Sequence, residues 1–190
     1  MVAASQLRVG AVVRFEGQEY KVIGTEYRPG QGRMTGAMHA RLRNLETGTI
    51  WEHAFRSELK LEELPLDKHT LEFLYADENH CCFMDPENFE QTEIPSALVG
   101  VQARFLEAGM KLAVEFVAGR PIQVLFPDVL EVRIASTGPA AHQQQDTNFK
   151  PAMLDNGVEV MVPQFVKTGD TIRLDIENLR YMDRARAKRT

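Results

Sequence analysis

The sequence predicts an all-β protein made of three small β-barrel domains. Three observations lead there. Apolar and polar residues alternate with period two from end to end, and 3.6-residue periodicity is almost absent. The alternating stretches are short and end in turn residues, the spacing of small barrels such as OB-folds and SH3-like barrels. Composition also shifts twice, near Pro65 and Pro127, so the expected domains are 1–64, 65–128 and 129–190. Of the net charge of −5, the middle segment carries −7, with four Lys/Arg against eleven Asp/Glu, and each flanking segment carries +1.

In the first segment, Val12 to Phe15 and Tyr20 to Ile23 flank Glu16-Gly17-Gln18 and read as a hairpin. Met38 to Arg43 is a sharper strand: Met38, Ala40 and Leu42 share one face, and His39, Arg41 and Arg43 line the other. Leu45 to Gly48 turns the chain into a strand over Ile50 to Phe55. In the acidic segment, strands are expected over Thr70 to Tyr75, His80 to Met84 and Phe89 to Ile94, parted by Asp77-Glu78-Asn79 and Pro86-Glu87-Asn88. Ser96 is expected to cap a helix of about two turns over Ala97 to Phe105, ending near Gly109. Lys111 to Val117 and Ile122 to Phe126 form a hairpin around Ala118 to Pro121. The last segment offers Val129 to Ala135, a polar stretch through Gly138-Pro139 and Gln143 to Gln145, then strands at Val158 to Val162, Thr171 to Ile176 and Arg180 to Met182.

Several function classes find no support. The longest apolar runs, such as Ile122 to Phe126, are far shorter than the roughly 20 residues of a spanning helix, and the first residues lack a secretory pattern. A cytoplasmic protein is expected. Cys81 and Cys82 are adjacent and cannot build a disulfide framework; between His80 and Phe83-Met84 they read as buried and inert rather than as a nucleophile pair. The histidines at 39, 53, 69, 80 and 142 show no paired metal spacing, and no phosphate-binding or nucleophile-elbow motif occurs. Asp85, Glu87 and Glu90 read as a solvated acidic face rather than a catalytic carboxylate pair. No catalytic residue, metal or cofactor is expected.

The residues that point to a partner are basic. Tyr27 to Leu45 contains Arg28, Arg33, Arg41 and Arg43 and no acid, and the chain closes on Arg184, Arg186, Lys188 and Arg189. Such local concentration suits a polyanion met at defined places. Between the strands lies Arg28-Pro29-Gly30-Gln31-Gly32-Arg33-Met34-Thr35-Gly36, too rich in glycine to continue a strand. A glycine-flanked arginine at the tip of such a loop can enter a narrow cleft, and its guanidinium suits phosphate and base edges. An ordinary solvated loop is the alternative.

At this point the residues match a family. Arg8-Val9-Gly10, Pro29 to Arg33, Leu42 to Thr49 and Phe55-Arg56 resemble the first domain of bacterial translation elongation factor P. The likeness continues through Leu74 to Asp77, Phe83 to Asp85 and Phe89 to Gln91, then Lys150 to Ala152, Asn156-Gly157, Val162 to Val166 and Gly169-Asp170. The resemblance implies an SH3-like, KOW-type first domain followed by two OB-folds, and a non-enzymatic factor. It implies a monomer that binds the ribosome beside the P-site peptidyl-tRNA and relieves stalling at consecutive prolines. On this reading Pro29, Gly30, Gln31, Gly32, Arg33 and Met34 form the loop that reaches the peptidyl-transferase centre. Arg33 is then the candidate target of a tip-modifying enzyme, and Arg28, His39, Arg41, Arg43, Arg184 and Arg186 contact RNA backbone. A free-standing OB-fold RNA-binding or RNA-chaperone protein is the second reading, and an enzyme using Cys81 or Cys82 the third.

The tip loop and the third domain depart from the family pattern. The loop is one residue longer than the common Pro-Gly-Lys-Gly form, so the tip is Gln31 when matched from Pro29 and Arg33 when matched backward from Asn44; Arg33 is preferred for its charge. Many members end their third domain with Asp-Thr-Arg-Thr-Gly-Glu-Tyr, whereas this chain reads Asp175-Ile176-Glu177-Asn178-Leu179-Arg180-Tyr181. That ending resembles the elongation factor P-like paralogues. Gln143 to Thr147 likewise replaces the usual Gly-Asp-Thr loop.

Overall fold

A computed structural model describes residues 1–30, 36–138 and 148–185. The chain is all-β, in three sheets. The first holds β1 (Val2–Ala3), β2 (Val12–Phe15), β3 (Gln18–Arg28), β4 (Ala37–Asn44), β5 (Ile50–Arg56) and β6 (Lys60–Leu64), in the order β1-β6-β2-β3-β4-β5. The second holds β7 (Asp67–Ala76), β8 (His80–Met84), β9 (Gln91–Pro95), β10 (Lys111–Val117) and β11 (Arg120–Leu125), in the order β11-β10-β7-β8-β9. The third holds β12 (Val129–Thr137), β13 (Phe149–Leu154), β14 (Glu159–Pro163), β15 (Thr171–Asp175) and β16 (Arg180–Arg184), in the order β14-β13-β12-β15-β16, and β16 returns against β14.

Packing divides the chain into two compact units along a different line from the sheets. One comprises 1–69 with the hairpin 114–122; the other comprises 70–113 with 123–190.

In the first unit, Val13, Val22, Met38, Ala40, Leu42, Phe55 and Leu61 form the main core. The alternation read in Met38 to Arg43 holds: Met38, Ala40 and Leu42 are buried, while Arg41 and Arg43 are exposed. The turn between β2 and β3 is tighter than the three residues expected. Glu16 and Gly17 take φ of 50° and 80°, and Phe15 pairs directly with Gln18. Both turn residues are left-handed, the geometry that matches the natural strand twist, and the glycine carries it without strain. Ala118 and Gly119, with φ of 49° and 76°, make the corresponding turn of the 114–122 hairpin. That hairpin seats Val117 and Ile122 on Val12, with Leu45, Leu64 and Leu66 packed around them, and Glu115 meets Lys21 in a buried ion pair.

In the second unit, β8 spans the residues expected of it. Cys81, Cys82 and Phe83 are buried in succession, so both faces of the strand are covered there. Phe73 stands edge-on to Phe83 at 5.4 Å. The expected helix differs from the observed one. Pro95 occupies the capping position, Ser96 is the first helical residue of α1 (Ser96–Val99), and Gly100 at φ 69° ends it; a 3-10 segment continues to Phe105. The sequence reading names no strand between Gln145 and Val158, yet Phe149–Leu154 is an interior strand of the sheet. Pro151 is accommodated because its carbonyl accepts from Gly138 N–H at 2.9 Å, and its missing N–H faces the place where pairing with β12 ends. Ile134, Leu154, Val160, Val162, Ile172 and Leu174 fill this barrel.

Candidate nucleic-acid interface

β3 and β4 form the longest hairpin of the first sheet, paired from Tyr20 opposite Asn44 up to Arg28 opposite Ala37. A bulge between Val22 and Gly24 bends it, and the aliphatic stem of Arg41 lies over Gly24, with its Cβ at 3.6 Å from where a glycine Cβ would be. Pro29 and Gly30 stand exposed at the end of β3. Gln31, Gly32, Arg33 and Met34 lie outside the described residues, as does Arg186. The descending side is clamped at Gly36, whose carbonyl accepts from the backbone N–H of Ser57 at 3.1 Å and also from the Ser57 hydroxyl. A Cβ at Gly36 would meet the Tyr27 hydroxyl, so any larger residue there requires the exposed tyrosine ring to swing aside. Sequence pattern did not mark this clamp, because nothing in the order Tyr27, Gly36, Ser57 signals proximity.

The outward face of the hairpin forms a groove of about 480 Å³ lined by Thr25, Arg28, His39, Arg41, Glu52 and His53, among others. His39 sits opposite Glu26 across β3 and opposite Ala54 across β5. Its cations are not bare. Arg28 Nη2 lies 3.1 Å from Glu26 Oε2, and Arg41 Nε lies 3.1 Å from Glu52 Oε1. The Glu26 carboxyl is held below its ordinary range, first by the hydrogen bond from Arg28 and then by its charge. Arg43 is exposed and has no ion pair among the described residues. In the second unit, Arg184 Nη2 sits 2.6 Å from Asp170 Oδ1. The Asp170 carboxyl is held low by the Lys167 backbone N–H first and by Arg184 second.

The residues weighed for catalysis take structural roles. Burial pushes the Cys81 thiol up, away from the thiolate a nucleophile needs. Asp85 and Asn88 cap their own turn, accepting from the backbone N–H groups of Glu87 and Glu90 at 2.8 Å. His53 lies between Trp51, tilted to it, and Phe55, edge-on to it, both with ring centroids at 4.5 Å, part of an aromatic row with Phe15 that the sequence reading did not identify. Among the described residues no group of three metal-capable side chains converges, and no helix is long and apolar enough to cross a membrane.

Three family descriptions match the chain in order. These are the elongation factor P KOW-like domain over residues 3–61, the elongation factor P OB domain over 66–124, and the elongation factor P C-terminal domain over 130–184. Elongation factor P from Gemmatimonas aurantiaca is 35% identical over 185 residues, covering 97% of this chain and 98% of its own. The chain belongs to the elongation factor P family. Elongation factor P from Acidobacterium capsulatum is 33% identical, with 97% and 99% covered. Among solved structures, "Eukaryotic translation initiation factor 5A from Methanococcus jannaschii" superposes with a TM-score of 0.51 at 18% identity, covering 65% of this chain and 92% of that one, a likeness of fold. Elongation factor P relatives are translation factors, not enzymes. The KOW-like match contains the β3–β4 hairpin with its loop, and the C-terminal match ends at Arg184.

Proposed function

We propose that the protein is a cytoplasmic, monomeric translation elongation factor that binds the ribosome beside the P-site peptidyl-tRNA and stimulates peptide-bond formation at consecutive prolines. The observation that carries this reading is the collinear match of all three segments to elongation factor P, from residue 3 to residue 184. A match of that extent favours a whole translation factor over a free-standing OB-fold module. Proline is a rigid, poor nucleophile, so a factor that holds the peptidyl-tRNA in reactive geometry acts through orientation and entropy. It needs no catalytic side chain of its own. In this reading the loop from Pro29 to Met34, at the end of the long hairpin, reaches the reacting tRNA end, and Arg33 is its tip and the site at which a modifying enzyme would extend it.

Arg28, His39, Arg41, Arg43, Arg184 and Arg186 are assigned to RNA backbone. The ion pairs of Arg28, Arg41 and Arg184 do not oppose this. Arg28 and Arg41 pair at the surface, where solvent screens the attraction, so a phosphate can take the carboxylate's place; Asp170, only 16% exposed, holds Arg184 more firmly. They do rank the cations. Arg43, without such a partner among the described residues, should carry a larger share of the electrostatic term than Arg41, whose charge Glu52 offsets.

Ribosome co-sedimentation tests the assignment. Affinity should fall steeply with salt, because each neutralised phosphate releases counterions. Arg43→Ala should flatten the slope of log affinity against log salt by about 1, and Arg41→Ala by less. Absence of ribosome binding would refute the proposal, and a salt-insensitive affinity would refute the contact residues.

A further inference from the structure

Strand register orders the charges on the outward face of β3, β4 and β5. At the loop end Arg56 lies opposite Ala37, which in turn lies opposite Arg28; at the far end Arg43 lies opposite Ile50. Arg43 and Arg56 are exposed and have no ion pair among the described residues. Their positions are separated along β4 by the run from Ala37 to Arg43, about 20 Å of strand. Glu26, opposite His39, and Glu52, opposite Arg41, fall between them.

Both carboxylates hold arginines of this same face. Arg28 donates from Nε and Nη2 to the two oxygens of Glu26, at 3.3 and 3.1 Å. Arg41 Nε lies 3.1 Å from Glu52 Oε1. All four side chains are at least 57% exposed, so neither pair secures the hairpin, which the buried row of Met38, Ala40 and Leu42 already anchors. An acid beside each of two arginines lowers the charge of a face otherwise suited to a polyanion, and the fold does not require it. Specific binding surfaces use such opposing elements to reject partial matches.

We infer that Glu26 and Glu52 are specificity residues that compete with RNA phosphate for Arg28 and Arg41. Arg43 and Arg56 stay open for first contact, one at each end of the hairpin. Arg28 and Arg41 engage phosphate only when it displaces a carboxylate. An RNA that reaches one end alone therefore gains a single bare cation, whereas a backbone running the length of the hairpin engages both and brings phosphates to the paired arginines as well. The inference rests on the ribosomal reading for the identity of the polyanion, not for the competition.

Ribosome co-sedimentation of the full-length protein at one fixed salt concentration tests it. Glu26→Gln and Glu52→Gln should each tighten binding about two- to fivefold, the range of an exposed ion pair. Glu78→Gln makes the same change of net charge between β7 and β8 and should bind like wild type. Arg56→Ala should weaken binding more than Arg41→Ala does. A double-mutant cycle separates competition from simple repulsion of phosphate, because repulsion acts whether or not the arginine is present and competition requires it. Arg41→Ala should therefore weaken binding more in the Glu52→Gln background than in wild type, and Arg28→Ala more in the Glu26→Gln background. Equal costs in the two backgrounds would overturn the inference, as would wild-type affinity in both glutamine variants. Heparin chromatography keeps the competition distinct from the ribosomal reading. If the wild type does not bind ribosomes, that reading falls; elution of both glutamine variants at higher salt than wild type and Glu78→Gln then sustains the inference, and co-elution overturns it.

Discussion

Glu115→Ala is expected to destabilise the protein by about 3–5 kcal/mol, far more than any surface substitution in the same unit. Lys21 and Glu115 are 9% and 8% exposed, and each meets the other's charge in the interior of the first unit. Removing the carboxylate leaves the ammonium in low dielectric without it, which costs more than the pair contributes. Replacing both with apolar residues of similar volume, Lys21→Met with Glu115→Leu, should therefore restore wild-type stability or exceed it. The surrounding network behaves differently. Arg14 bridges Glu19 and Glu62, and Arg120 meets Glu19, yet both arginine side chains are at least 41% exposed, so Arg120→Ala should cost no more than about 1 kcal/mol. Urea unfolding of Lys21→Met, Glu115→Leu and the double variant gives the coupling directly. A cost below about 1 kcal/mol for Glu115→Ala would mean that the apolar contacts of Val12, Val117 and Ile122 alone hold the hairpin.

The second large effect is functional. Arg33→Ala should unfold at the wild-type denaturant midpoint and yet lose most of the stimulation of polyproline synthesis. Polar, glycine-rich loops carry little stability, with surface changes usually within about 0.5 kcal/mol. Positional errors of about 1 Å at a reacting centre can cost ~100-fold in rate. Arg33→Lys separates charge from shape, since lysine lacks the planar fork and cannot accept an arginine-specific modification. Gln31→Ala belongs beside it. If that variant is the damaging one and Arg33→Ala is silent, the tip is Gln31.

How much was legible in the sequence differs from strand to strand, for physical reasons. β4 was read face by face because its inward residues, Met38, Ala40 and Leu42, are apolar and its outward ones charged. β8 was read to its ends because turn residues bound it on both sides. β13 was missed because its pattern is inverted: Lys150 points into the barrel and is buried, while Phe149 and Pro151 face out. β6 was missed since Lys60, Glu62 and Glu63 give it a polar face against solvent. The basic face was legible, but its carboxylate partners were not, because Glu52 meets Arg41 across strands and Asp170 meets Arg184 from 14 residues away. The Gly36 clamp and the Lys21 to Glu115 pair are long-range contacts that only the fold brings together.

The proposed acceleration of peptide-bond formation at consecutive prolines, by positioning peptidyl-tRNA, has its own direct test. The most direct measurement is the rate of synthesis of a peptide with three successive prolines in a reconstituted translation system, with factor purified from its native host so that any modification is retained. A matched template without prolines serves as control. The factor should speed the proline template and leave the control unchanged, and the gain should disappear with Arg33→Ala. Equal rates with and without the factor on the proline template would contradict it.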